Sequence, residues 1–149
     1  ILTKELTSLV GNGEADGIRI LKYHPNDGGE IRSNRQHQIL FRYSDAHLMK
    51  AEAMMRMGED ITSMVNELRQ ARTNTPDLPN VTEDVLLAER GRELYIEFWR
   101  RNDLVRFDKF TAPWGLKEVT GDPNMNLFPI PETALLSNPN LVQSRILKI

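Results

Sequence analysis

From Tyr43 onward, apolar and polar positions recur along the chain with a helical period. Tyr43 to Met57, YSDAHLMKAEAMMRM, is built mainly from Ala, Leu, Met, Lys and Glu, which are good helix formers. Gly58 is a natural stop. A second helix is expected from about Ile61 to Thr73, with Asp60 as its N-cap. Ile61, Met64, Val65 and Leu68 repeat at i, i+3, i+4 and i+7 and mark one buried face. A link this short makes the two helices an antiparallel hairpin, with Ala46, Ala51 and Ala53 permitting close approach. Thr75 to Asn80 reads as a loop. Thr82 then caps a third helix, with Glu83 and Asp84 in its first turn. That helix is expected to reach about Arg100 and to bury Leu87, Gly91, Leu94, Tyr95 and Phe98. A bend near Arg101-Asn102 and a helical turn over Leu104 to Phe107 follow. Residues 111–130 read as loop, and Pro131 opens a last short helix that Asn138-Pro139-Asn140 ends. Before Tyr43 the pattern is irregular over residues 1–38, with Gly-rich turns on either side of a short strand expected at Ile18 to Tyr23.

A chain of 149 residues can bury one sizeable core, so one domain is expected. Its 40% apolar and 27% charged content is that of a folded domain. The 19 basic and 21 acidic residues give a net charge of −2, which offers no electrostatic footprint for nucleic acid. Without cysteine, disulfides and thiolate metal sites are excluded. No apolar run approaches the roughly 20 residues of a membrane-spanning helix. The opening Ile-Leu-Thr reads like the interior of a longer protein. His24, His37 and His47 have no ligand spacing, so no metal is expected. Asp27 and Glu30 lack the spacing of an EF-hand and read as an exposed turn.

Charge concentrates between Glu89 and Phe110. Five acids (Glu89, Glu93, Glu97, Asp103, Asp108) interleave there with six bases (Arg90, Arg92, Arg100, Arg101, Arg106, Lys109). Glu93 and Glu97 lie one helical turn apart, roughly 6 Å at Cβ, a spacing compatible with a glycosidase pair. Arginines beside them lower their pKa, however, which is wrong for a general acid. The near balance of signs disfavours a nucleic-acid helix. The expected role is structural: Glu89, Glu93 and Glu97 paired with Arg90, Arg92, Arg100, Arg101 or Arg106, and Asp103 within the same lattice. Substitutions there, Arg106→Ala included, are expected to harm folding before binding. Glu52, mid-helix between two alanines, needs a cationic partner, with Arg42 or an arginine of the third helix as candidates. Tyr95 and Trp99 read as packing residues.

Several motifs, in order, resemble the C-terminal part of the SusD/RagB family of Bacteroidetes nutrient-binding lipoproteins. They are the segment from Phe41-Arg42-Tyr43-Ser44-Asp45 to Ala51-Glu52-Ala53, then Val65-Asn66-Glu67-Leu68-Arg69-Gln70-Ala71-Arg72. Next come Glu89-Arg90-Gly91-Arg92-Glu93-Leu94 through Glu97, Arg100 and Asp103-Leu104-Val105-Arg106-Phe107. Leu127-Phe128-Pro129-Ile130-Pro131 and Asn138-Pro139-Asn140-Leu141-Val142-Gln143 close the series. The likeness covers about residues 20–143. Departures are Phe98, Arg101-Asn102 and Ser144-Arg145, which touch local packing and the tail.

The resemblance implies a mostly α protein of tetratricopeptide-like helix hairpins with long irregular loops. The helical core would span 39–110 and the loop with its short helix 111–149. It implies a non-catalytic protein, without cofactor, that binds oligo- or polysaccharides, or peptides in some members. It further implies a place on the outer-membrane surface through a lipid anchor outside this segment, and a TonB-dependent, SusC-like transporter as partner. The alternative is a tetratricopeptide-like interaction scaffold that holds a protein without binding sugar. A hairpin of about 32 residues is close to the tetratricopeptide period, and such arrays need about three repeats. Residues 1–149 alone are therefore expected to fold poorly. For glycan binding the candidates are Trp114, in the Pro113-Trp114-Gly115 loop, and Tyr23, because pyranose C–H faces are apolar and stack on rings.

Overall fold

The computed structural model of the chain describes residues 13, 16–17, 22–23, 39–72 and 76–143. Among these the structure is helical: α1 (Tyr43–Arg56), α2 (Thr62–Gln70), α3 (Glu83–Glu93), α4 (Arg100–Arg106) and α5 (Glu132–Ser137), with a 3-10 turn at Pro123–Asn126. Of the strand expected at Ile18 to Tyr23, Ile18 to Leu21 lie outside the described residues, and Lys22 and Tyr23 lie in a turn. His24, Asp27, Glu30 and His37 also lie outside them.

Most local signals act as their chemistry requires, but α2 opens at Thr62 with Ile61, not Asp60, in the N-cap position and ends at Gln70, short of Thr73. Gly58 takes a positive φ of 86° and closes α1 with a Schellman pair. Its N–H donates to Met55 O at 2.9 Å, and Glu59 N–H donates to Met54 O at 3.0 Å. Asp60 Oδ1 accepts from Thr62 N–H at 2.9 Å, and Thr82 Oγ1 accepts from Val85 N–H. Asn66 locks the following loop in both directions, donating to Leu78 O and accepting from Leu78 N–H, each at 2.9 Å.

α1 packs on α2 and α3, and α4 packs on α3. The core comprises Leu48 and Ala51 of α1, Ile61, Val65 and Leu68 around α2, Val81 just before α3, Leu86 and Leu87 of α3, and Phe107. Of the three alanines expected at the hairpin interface only Ala51 is buried; Ala46 and Ala53 are exposed.

The third helix is shorter than expected. It ends at Glu93, Leu94 to Trp99 form a turn, and α4 starts afresh at Arg100. Ile96 and Phe98 have φ of 56° and 67°, which no helix contains. Two cations stop the helix. The Glu93 carbonyl accepts from the Arg42 guanidinium and from Lys22 Nζ at 2.8 Å, and Tyr95 O also accepts from Lys22. Positive charge on the last carbonyls is favourable. Because the helix ends early, Tyr95 and Phe98 are exposed instead of buried, while Leu94 is buried. Trp99 is half-buried against Phe41, their ring centroids 5.5 Å apart.

Candidate functional site

The charged residues form two networks that tie helices distant in sequence. In the first, Arg90 of α3, fully buried, lies between Asp45 of α1 (3.0 Å) and Asp103 of α4 (2.9 Å), both also buried. Arg106 joins Asp103 at 2.7 Å and grips both oxygens of Glu52 at 2.8 and 2.9 Å. Arg56 reaches Glu52 from the next turn. Glu52 therefore has cationic partners, but they are Arg106 of α4 and Arg56 of its own helix. Arg42 is held elsewhere.

The second network runs along α3. Glu89 pairs with Arg69 of α2 at 2.8 Å and with Arg92. Glu93 pairs with Arg42 and Arg72. Glu97 accepts both from Arg42, at 2.8 and 3.0 Å, and from Lys22. Of the local pairings expected for these three acids, Glu89 with Arg92 forms. Glu93 and Glu97 turn instead to cations that precede α1 or follow α2. Arg100 holds no carboxylate among the described residues; its Nη1 donates to Leu87 O at 2.8 Å.

Burial alone would raise the pKa of Glu93, but hydrogen bonds from Arg72, Arg42 and Ser44 outweigh it and hold the group down at about 2. Glu97 is also lowered. Burial opposes that shift, and hydrogen bonds from Arg42 and Lys22 overcome it. Two carboxylates held ionised in this way cannot supply the proton that a glycosidase needs from its general acid.

The two aromatic candidates lie in different surroundings. Tyr23 is half-buried. Its hydroxyl is out of reach of water, and burial, then the Glu97 carboxylate, raise its pKa. Trp114 is 63% exposed on a stapled loop. Trp114 and Lys117 exchange backbone hydrogen bonds of 2.9 and 2.8 Å across a turn in which Gly115 has φ 48°. Lys117 Nζ donates to the Thr111 and Ala112 carbonyls at 3.0 and 3.1 Å. The backbone is thus fixed while the ring stays open.

Trp114 borders a cleft of about 480 Å³ that Leu87, Leu104, Ala112 and Pro113 line with apolar groups and Asp84, Arg100 and Lys109 with charged ones. Asp84 and Lys109 pair at 3.2 Å. The sequence reading placed none of these polar residues in a site. Asp84 read as a helix-start acid, and Arg100 and Lys109 as parts of the lattice. They meet because the segment after α4 folds back across α3, which no local pattern announces. An apolar cleft with an open ring and a few convergent polar groups has the general form of a small-ligand site.

A sequence profile of the SusD family matches residues 6–145. The starch-binding protein SusD of Bacteroides thetaiotaomicron is 35% identical over 146 residues, covering 89% of this chain and 26% of that protein. The SusD-like protein P38 of Formosa agariphila is 35% identical over 150 residues, covering 90% of this chain and 29% of that protein. The chain thus spans less than a third of the length of these relatives. Among the described residues no helix is long and apolar enough to cross a membrane.

Proposed function

The chain belongs to the SusD family, and from that premise we propose that it is part of a non-catalytic glycan-binding protein of an outer-membrane uptake system. In this reading it sits at the cell surface and hands its ligand to a TonB-dependent transporter. The observation that carries the reading is Trp114: an open indole on a fixed backbone beside an apolar cleft. A pyranose ring presents an apolar C–H face to such a platform, and hydroxyls at its edge can reach Asp84 and Lys109. Large aromatic surface with little side-chain freedom is an economical way to hold a ligand. Trp114 and not Tyr23 carries the argument, because Tyr23 has its hydroxyl turned inward. The ionised Glu93 and Glu97 support binding without hydrolysis.

In the full-length protein, Trp114→Ala is expected to weaken glycan binding at least tenfold, about 1.4 kcal/mol, with the thermal midpoint little changed. Isothermal titration with the best glycan from an array screen measures this. Undiminished affinity in the variant rejects the assignment.

A second reading is favoured by a cleft of about 560 Å³ along the helix hairpin, lined by Tyr43, His47, Lys50, Met54, Met64 and Glu67. In that reading the hairpin is a scaffold for a protein partner and binds no sugar. Capture of the transporter by a protein that retains no glycan would select it.

A further inference from the structure

Arg100 differs from the other arginines described. Arg42, Arg56, Arg69, Arg72, Arg90, Arg92 and Arg106 each pair with a carboxylate. Arg101 lies between the rings of Phe110 and Phe128, 4.9 and 3.9 Å from their centroids, and donates to the carbonyls of Met125 and Asn126. Arg100 has neither a carboxylate nor a ring. Among the described residues its one hydrogen bond runs from Nη1 to Leu87 O. A guanidinium carries five donors, so on this exposed side chain most of them face solvent and are open to a ligand, and it lines the Trp114 cleft.

The group is also held in place. A Cβ added at Gly91 would lie 2.8 Å from Arg100 Nη1 and 3.0 Å from Cζ, so the guanidinium rests against the bare backbone of α3. The Leu87 carbonyl fixes its rotation. Among the described residues the only carboxylate lining the cleft is Asp84, which Lys109 already holds at 3.2 Å. Two cations against one acid leave the cleft with one uncompensated positive charge, next to a ring suited to a sugar face.

We propose that the Trp114 cleft selects an acidic sugar unit, stacked on the indole with its carboxylate or sulfate held by Arg100. This rests on the glycan-binding reading given above. A planar guanidinium with free donors matches either anion, and a carboxylate in bidentate fashion. Gly91 is then a positioning residue, and Arg100 the residue that sets specificity.

The test uses the full-length protein and two matched ligand pairs: oligogalacturonate against its methyl ester, and a sulfated galactan oligosaccharide against its desulfated form. Each pair keeps the sugar rings and removes the negative charge, by adding a methyl group in the first and by removing the sulfo group in the second. The acidic member of one pair is expected to bind at least tenfold more tightly, and which pair responds tells carboxylate from sulfate. Arg100→Gln should bring the affinities within that pair together. Arg100→Lys, which keeps the charge without the fork, should retain a partial preference, and its fold is checked by circular dichroism. Equal affinities within both pairs would overturn the inference while leaving glycan binding intact. Absence of binding to all four ligands and to a broad neutral glycan panel would reject the underlying reading as well.

Discussion

Glu93 sits where three helices meet, and its protonation state reports on the whole junction. Arg72, just after α2, and Arg42, before α1, both hold it. Its folded pKa of about 2 lies below its ordinary 4.5. A depressed acid contributes stability that is fully present above pH 4.5 and is lost as pH falls from there toward 2. The shift corresponds to about 3 kcal/mol. Glu52 shifts in the same direction, with burial opposed and outweighed by Arg106 and Arg56, and so does Glu97, so the acid limb should be steep. In Glu93→Gln the loss should be smaller: the stability gap between wild type and variant, read from urea midpoints between pH 7 and 3, is expected to narrow as pH falls. A gap that stays constant over that range would mean that Glu93 is not held as described. Arg90 ties a second junction in the same way. Two buried carboxylates depend on it, and removing one partner of such a group costs about 3–5 kcal/mol.

At the level of elements, local chemistry was readable and its interruption was not. The spacing of Ile61, Val65 and Leu68, the stop at Gly58 and the cap at Thr82 are signals that neighbouring residues supply alone, and each element they mark is present. The break between Glu93 and Arg100 depends on Arg42 and Lys22, which lie 51 and 71 residues before Glu93 in the chain. No window along α3 contains them. The same distance hides the partners of Glu93 and Glu97, which a helical wheel assigns to arginines on their own helix. Gly91 was equally opaque: it read as part of an apolar face, whereas its missing side chain makes room for Arg100. That role can be tested. Gly91→Ala should gain about 1 kcal/mol of helix propensity and lose about as much when the flexible Arg100 swings off Leu87 O. Stability measured by urea unfolding is thus expected to stay within about 1 kcal/mol of wild type. The preference for the acidic ligand should nevertheless fall, as in Arg100→Lys, since the guanidinium keeps its charge but loses its position. An unaltered preference would show that Arg100 does not need Gly91 to be placed.

At the scale of the molecule, the described residues combine a small apolar core with ion pairs that reach between helices. Among the described residues the main buried cluster holds nine side chains, with Leu48, Val65 and Leu86 at its centre, while many large apolar groups lie outside it. Phe41 is 73% exposed, Phe98 78%, Phe128 75%, Leu136 80% and Val142 81%. Phe98 lies in the turn between α3 and α4, Phe41 packs on Trp99 at the end of that turn, and the others follow α4. Exposed apolar surface on this scale is a hallmark of faces that pack against something else, and relatives three to four times longer offer chain enough to cover it. The two ion networks do not compensate for missing apolar burial. Desolvation consumes most of what a buried pair gains, so they specify how the helices meet more than they add to stability. Among the described residues one helix hairpin, α1 with α2, is present, and stacked helix hairpins usually need roughly three units to stand alone. Residues 1–149 produced in isolation are therefore expected to melt over a broad range and to bind a hydrophobic dye such as ANS before heating. The full-length protein should melt sharply without that signal. A single cooperative transition of the isolated chain, with calorimetric and van't Hoff enthalpies in agreement, would show that this small core and its ion pairs suffice.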